Sequence, residues 1–256
     1  LASFTEIAGP EAAAALPAAF AHELGLATPD APWHTSRWPV TELGDALVQA
    51  IDAVGKVATD VATLSRTEIG ELAEGAGGGS SAMPQKRNPA ASVLIRSAAL
   101  RAPQLAATLH LASALAADER PDGAWHAEWP TLRELLRLAL GATAHAASLV
   151  AGLHVDTDAV ARNLAATGGL IVSERLSIVL GPVLGAARVA ELVTEAAAGG
   201  DLARLLAASP DVAALAAAAG ATPEAFAADL LDPARYTGLA GRLVDEAAAR
   251  TAEEDA

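Results

Sequence analysis

The chain has 256 residues, no cysteine and a formal net charge of −14, from 31 acidic and 17 basic residues. The lack of cysteine excludes a disulfide framework and a cysteine-ligated metal, and it is typical of a reducing cytoplasm, where we expect the protein. The acidic balance argues against nucleic acid and anionic membranes as partners, and no uncharged apolar run reaches about 18 residues, so we predict no membrane span.

Apolar residues at helical spacing predict two helices in the first part of the chain. The first covers residues 10–24, and residues 26–39, which hold three prolines, interrupt the pattern. The second is a long helix over residues 41–74, which has the length of a helical-bundle element. Its apolar residues recur at steps of three and four along one continuous stripe: Leu43, Leu47, Ile51, Val54, Val57, Val61 and Leu64.

The remaining sequence also predicts helices. Residues 90–117 are predicted to form a second long helix with a kink or break at Pro103. A polar interruption follows at residues 118–130, and a third long helix is predicted over residues 131–152. Beyond Val155 the helices shorten, and turn signals recur at residues 168–169, 199–200, 209–210, 222–223 and 232–233.

These elements predict an all-α fold in two domains. Residues 1–154 form a central helical bundle that carries the segment 75–89, and residues 155–256 form a smaller helical C-terminal domain, with the boundary near His154. Residues 1–6 contain neither an initiator methionine nor a basic leader, so we expect the bundle to be truncated at its start, inside a longer protein.

Three acidic residues lie three positions apart at the end of the predicted long helix: Glu68, Glu71 and Glu74. This spacing places them on roughly one face. A metal site is conceivable there, but no histidine joins them at a suitable spacing. We therefore interpret them as a solvated or interface acidic face and predict no metal site.

The segment 77–89 concentrates the chemistry of the chain. Three glycines are followed by Ser80 and Ser81, then by Lys86, Arg87 and Asn88 within seven positions. Composition alone favours a glycine-rich linker with a solvated basic patch. The order of the residues also suits a mobile loop that closes over an anion.

The order of residues 79–89 resembles a known signature. They match the pattern GSSxMPxKxNP without a gap, and this is the signature loop of the fumarase/aspartase superfamily. The resemblance implies an enzyme that makes or breaks a C–N or C–O bond β to a carboxylate, through an enediolate carbanion, with neither a metal nor a redox cofactor. It also implies a homotetramer whose active sites draw loops from three subunits.

The resemblance implies a role for each matched side chain. Ser80 is the base, Lys86 and Asn88 bind the substrate carboxylate, Ser81 donates a hydrogen bond to the same group, and Met83 lines the apolar side. The chemistry agrees, because an ammonium and an amide donor stabilise the extra negative charge of an enediolate. A serine hydroxyl is a poor base unless fixed donors or a cation favour its ionised form in a dry site.

Arg37 is a further candidate ligand for a substrate carboxylate. It lies outside the loop, in a segment that also holds Trp33, His34 and Trp38. A guanidinium binds a carboxylate bidentately, which favours Arg37 over the neighbouring His34.

Within the superfamily the chain most resembles the 3-carboxy-cis,cis-muconate cycloisomerases of aromatic catabolism. The matching segments are residues 32–35, 70–71, 86–89, 123–129, 163–164 and 167–171. Two features depart from that branch: Gln85, where the cycloisomerases usually carry histidine, and the pair Pro121-Asp122. Substrates of nitrosuccinate, adenylosuccinate or argininosuccinate type therefore stay open beside 3-carboxymuconate, all of them small anionic di- or tricarboxylates.

A non-catalytic helical assembly fragment is the alternative from a different class. Full-length superfamily members are about twice as long, and the resemblance implies that their first domain supplies histidine-containing loops to the active site. We therefore expect this chain alone to be inactive and to donate the Ser80 loop.

Overall fold

A computed structural model of the protein describes residues 1–75 and 88–254, with the side chains of residues 252–254 left undescribed. The predicted all-α class is confirmed. The helices are α1 (Ala2–Ala8), α2 (Pro10–Glu23), α3 (Trp38–Leu64), α4 (Ala90–Ala114), α5 (Ala124–Ala151), α6 (Thr157–Ala165), α7 (Ser173–Leu184), α8 (Ala186–Ala197), α9 (Leu202–Ala207), α10 (Pro210–Ala218), α11 (Pro223–Leu231) and α12 (Ala240–Glu254). Two 3₁₀ turns (Leu170–Val172 and Pro233–Tyr236) and one small sheet of β1 (Leu72–Glu74) and β2 (Leu153–Val155) complete the described elements.

The chain divides into two compact units. The first comprises Leu1–Thr63 and Glu74–Leu153, and the second comprises Leu64–Ala73 and the residues from His154 onward. Residues 64–73 thus group with the second unit, whereas the sequence-based boundary counted them with the first.

The core of the first unit lies between its long helices. The side chains of Ile51, Ile95, Leu109 and Leu135 are fully buried, and alanines fill most of the remaining core positions. Glycine sets the approach of α3 to α4, because a Cβ on Gly55 would lie 2.7 Å from the Cβ of Ala99. Small side chains therefore bring these helices close together.

The helix predicted over residues 41–74 ends ten residues earlier than expected. A tight turn replaces its last part, in which the amides of Ile69 and Gly70 donate to the Arg66 carbonyl oxygen at 2.9 and 2.7 Å. Gly70 has a φ of 67°, a conformation that suits glycine. The amide of Glu71 then donates to the Leu64 carbonyl oxygen at 3.0 Å, which closes the helix end.

The other two long helices each contain a proline that does not end the helix. α4 continues through Pro103, so the break allowed there is wrong. α5 begins at Ala124, seven residues before the predicted start, and includes Pro130. Trp125 and Trp129, four positions apart on this first part of α5, stack with ring centroids 6.2 Å apart. Side-chain packing there outweighs the helix-breaking tendency of proline.

The predicted apolar stripe of α3 is divided between two environments. Ile51 and Val61 are buried inside the unit, whereas Leu43 and Val57 are exposed. The neighbouring helices also expose large apolar side chains, among them Leu100 on α4, 80% exposed, and Leu140 on α5, 74% exposed. The long helices thus present apolar surface beyond what this chain covers.

The second unit has its own core and capped helices. Its buried side chains include Leu176, Leu180, Val189, Leu192, Leu202, Leu206, Val212 and Leu230. The carboxylate of Asp156 accepts from the Ala159 amide at 2.9 Å, and the Thr222 hydroxyl accepts from the Ala225 amide at 3.2 Å. The turns predicted at residues 168–169, 199–200, 209–210, 222–223 and 232–233 all separate elements, as expected.

Among the described residues, no single helix is long and apolar enough to cross a membrane. The pair Thr157–Ala165 and Leu170–Leu184 meets the length and composition together, with a bend of 74° between the two parts.

Candidate active site

The signature loop is described only at its two ends. Ser80, Ser81, Met83 and Lys86 lie outside the described residues, and their predicted roles stay predictions. Asn88 is described: it is half-buried and directly precedes Pro89, the N-cap residue of α4. The Ala90 amide donates to the Asn88 carbonyl oxygen at 2.9 Å, so the backbone of Asn88 is tied to the start of α4.

Glu74 holds the start of α4 from the other end of the loop. Its side chain is buried, and its Oε1 accepts hydrogen bonds from the Ser92 amide at 2.9 Å and from Ser92 Oγ at 2.7 Å. Its Oε2 accepts from the Ala91 amide at 3.0 Å. The interpretation of Glu74 as part of a solvated or interface face is therefore wrong.

The other two acidic residues of that row lie in different surroundings. Glu68 is exposed, and Glu71 Oε1 accepts from Nδ2 of Asn163 at 2.8 Å within the second unit. Across residues 1–75 and 88–251, no three histidine, aspartate or glutamate side chains are close enough to hold a metal ion.

Arg37 lies in an ion pair that the sequence did not predict. Its Nε and Nη2 donate to the two carboxylate oxygens of Glu128, at 2.9 and 2.5 Å, and its Nη1 donates to the Trp33 carbonyl oxygen at 3.1 Å. The side chains are 12% and 4% exposed. The Trp33 ring also stacks on the guanidinium, with the Arg37 Cζ 5.1 Å from the ring centroid.

Aromatic residues of the same two segments of the chain contact one another. Nε1 of Trp125 donates to the His34 carbonyl oxygen at 3.2 Å, and His126 packs on Trp129 at 5.0 Å between ring centroids. Both histidines are exposed, and their described contacts are with this aromatic group. Glu128 is the residue that the sequence-based reasoning missed, although it stands in the same matched segment, residues 123–129.

Arg37 also borders a small cavity. Pro29, Pro32, Trp33 and His34 line it together with Arg37, and its volume is about 310 Å³. A guanidinium has five N–H donors, of which three are used by Glu128 and the Trp33 carbonyl. Counting only partners in residues 1–75 and 88–251, two donors therefore remain for a further anion.

Comparisons with known proteins find lyases and cycloisomerases. A family model described as lyase matches residues 7–103. The nitrosuccinate lyase of Streptomyces davaonensis is 50% identical over 237 residues, which are 90% of this chain and 48% of that protein. The 3-carboxy-cis,cis-muconate cycloisomerase of Pseudomonas aeruginosa is 40% identical over 255 residues, which are 97% of this chain and 54% of that protein.

A search of solved structures finds the same kind of enzyme. The crystal structure of 3-carboxy-cis,cis-muconate lactonizing enzyme from Pseudomonas putida superposes with a TM-score of 0.84 at 35% identity, covering 94% of this chain and 54% of that chain. This chain therefore spans about half the length of the curated relatives that it matches.

Proposed function

Because this chain belongs to the lyase family, within the fumarase/aspartase superfamily, we propose that the full-length protein breaks a bond β to a carboxylate of a substituted succinate. The observation that carries the proposal is the ungapped match of residues 79–89 to the superfamily signature, with Ser80, Lys86 and Asn88 all present. These are the side chains that proton removal and enediolate stabilisation require.

Nitrosuccinate is the first substrate candidate. The identity of 50% to the nitrosuccinate lyase supports it, against 40% to the cycloisomerase. Gln85 argues against the cycloisomerases, which usually carry histidine there, but it does not distinguish nitrosuccinate from the other substituted succinates.

The proposed reaction is an elimination in two steps. Ionised Ser80 takes a proton from the methylene carbon next to one carboxylate, and the electron pair moves onto that carboxylate as an enediolate. The pair then returns to form the C=C bond while the neighbouring C–N bond breaks, and nitrite leaves with the bonding electrons. The products are nitrite, an unsaturated dicarboxylate and a serine hydroxyl that holds the proton.

Lys86 and Asn88 are proposed to bind the carboxylate that becomes the enediolate. The charge on that group grows in the first step, so an ammonium and an amide donor bind it more tightly in the transition state than in the ground state. The described position of Asn88, with its backbone tied to the start of α4, supports a fixed donor. Ser81 is proposed to donate to the same group, and Met83 to line the apolar side of the site.

Arg37 is proposed to bind the second carboxylate. The two N–H donors that have no partner among the described residues, and the adjoining cavity, support this assignment. Glu128 would then orient the guanidinium while leaving part of it available to the substrate.

Cycloisomerisation of 3-carboxy-cis,cis-muconate is the second candidate. Its support is the TM-score of 0.84 to the lactonizing enzyme and the 40% identity that extends over 97% of this chain. In that reaction a carboxylate oxygen adds to a C=C bond of the same molecule, and the enediolate formed takes a proton from the Ser80 hydroxyl, which solvent then reprotonates. Counted in their fully protonated forms, substrate and product are isomers.

The exposed apolar side chains of α3, α4 and α5 support an assembly of identical subunits through the long helices. Apolar surface on this scale marks a protein interface, and symmetric homo-oligomers are the commonest soluble assemblies. We propose the homotetramer that the family resemblance implies. A purely structural role would need the assembly but not the signature side chains.

A substrate panel tests the proposed function. The full-length gene product is assayed with nitrosuccinate, 3-carboxy-cis,cis-muconate, adenylosuccinate and argininosuccinate, with nitrite release measured for the first and absorbance for the others. We expect turnover of nitrosuccinate with the largest kcat/KM. A larger kcat/KM for 3-carboxymuconate favours the second candidate, and no turnover of any of the four supports the non-catalytic alternative.

A further inference from the structure

The N-terminus of α4 is capped by a side chain from outside the helix. The N-cap residue Pro89 offers no side-chain hydrogen bond, and the amides of Ala91 and Ser92 in the first turn have no partners within the helix. Glu74, 17 and 18 positions earlier, accepts from both of these amides. The cap therefore joins the residues on the two sides of the segment 76–87.

The side chain of Glu74 provides acceptors for three donors at the start of α4. Both oxygens of Glu74 accept hydrogen bonds, one of them from two donors, and the residue is only 7% exposed, so little water is available as an alternative partner. The N-terminus of the 25-residue helix α4 also carries a partial positive charge that favours an anion. A glutamine keeps a single acceptor oxygen and turns an amide N–H toward one of the donors.

The residue next to Glu74 is fixed as well. A Cβ on Gly75 would lie 2.6 Å from the Gly152 carbonyl oxygen at the end of α5, so the backbone of Gly75 fits there only without a side chain. The two residues before the loop are therefore both fixed. Glu74 is bonded to the start of α4, and Gly75 packs on the end of α5.

We infer that Glu74 is a positioning residue for Asn88, and through it for the carboxylate-binding end of the active site. Asn88 lies two residues before α4, and its backbone is bonded to Ala90, so a shift of the first turn of α4 moves Asn88 with it. The inference rests on the proposed function of Asn88. Glu74 itself does not touch the substrate in this account.

Kinetics separate a positioning role from a purely structural one. A loss of folded protein lowers the apparent kcat by reducing the amount of active enzyme, but it leaves KM unchanged. A displaced carboxylate ligand raises KM, because substrate binding itself is weakened.

The test compares variants of the full-length gene product on the substrate that it accepts. We expect Glu74→Ala to raise KM about tenfold and Glu74→Gln about threefold. The increase is moderate because Asn88 is still present in both variants and is only displaced. Hydrogen exchange of the Ala91 and Ser92 amides should accelerate in the same order. The exposed Glu68, six positions away, provides the matched control, and Glu68→Gln should leave both KM and exchange unchanged.

An unchanged KM in folded Glu74→Ala, or in Glu74→Gln if the alanine variant does not fold, overturns the positioning role. Accelerated exchange with an unchanged KM shows that the cap is structural only, and it overturns the inference while leaving the proposed function intact. A wild-type protein without turnover on the substrate panel overturns the proposed function and this inference with it.

Discussion

The guanidinium of Arg37 and the carboxylate of Glu128 form a two-hydrogen-bond ion pair across 91 positions of the chain. The pair connects the segment before α3 to the first turns of α5, and the Glu128 side chain is 4% exposed and that of Arg37 12%. Removing one partner of such a pair leaves a buried charge without compensation, which is costly.

Glu128→Ala should therefore lower the free energy of unfolding by about 3 kcal/mol. Denaturant titration of the variant measures this change. Asp60→Ala is the matched control, since Asp60 pairs with Lys56 on the surface with 54% and 73% exposed side chains, and its loss should cost at most about 0.5 kcal/mol. Equal costs for the two variants would show that the Arg37–Glu128 pair contributes no more than a surface pair.

The glycines of the long helices predict opposite effects of the same substitution. Gly55→Ala should destabilise the protein by about 1–2 kcal/mol, because its methyl group meets Ala99 at 2.7 Å and forces α3 away from α4. Gly141 on α5 has open space around its missing side chain, so Gly141→Ala should stabilise by up to about 1 kcal/mol through helix propensity. Thermal unfolding of both variants gives the signs, and a stabilising Gly55→Ala would contradict the close packing of α3 and α4.

Local patterns were enough to predict the helical class, the position of α2 and the turns of the second unit, because caps and turn residues act over a few positions. They failed where distant residues decide the outcome. The first turns of α5 contact residues far away in the chain, since Trp125 donates to the His34 carbonyl oxygen and Glu128 pairs with Arg37. Glu74 and Ser92 likewise meet only in the folded chain, so the acidic row alone could not reveal the cap of α4. The one available signal was Pro89 before α4, because a proline at the N-cap cannot cap the helix with its side chain and a cap must come from elsewhere.

The exposed apolar side chains of the long helices predict an interface. Leu140→Glu should dissociate the assembly, because a charge at the centre of an apolar interface is costly to desolvate. Leu243→Glu is the control on α12 of the second unit, where the side chain is 60% exposed, and it should leave the assembly intact. Sedimentation velocity of the wild type and the two variants shows which of them assemble. A wild-type protein that sediments as a monomer would refute the interface.

Lys86 and Asn88 should act on substrate binding and on the chemical step together. Lys86→Met should raise KM and lower kcat, since the charge binds the carboxylate in both the ground state and the transition state. Arg87→Met removes a charge from the neighbouring position, which the signature leaves unspecified, and should change both constants by less than about threefold. In a structure with bound dicarboxylate, Lys86 and Asn88 side chains farther than about 6 Å from any carboxylate would contradict the assignment, since no hydrogen bond spans that distance.

The assignment of Ser80 as the base is tested most directly by kcat of Ser80→Ala, measured in the full-length gene product beside Ser81→Ala. The proposed elimination predicts that Ser80→Ala lowers kcat by on the order of 10³-fold or more with KM changed less than about threefold, because the lost group acts only in proton removal. Ser81→Ala, which keeps the base, should retain a much larger kcat. A Ser80→Ala enzyme whose kcat stays within about tenfold of the wild type would contradict the account, because general-base removal costs more than that.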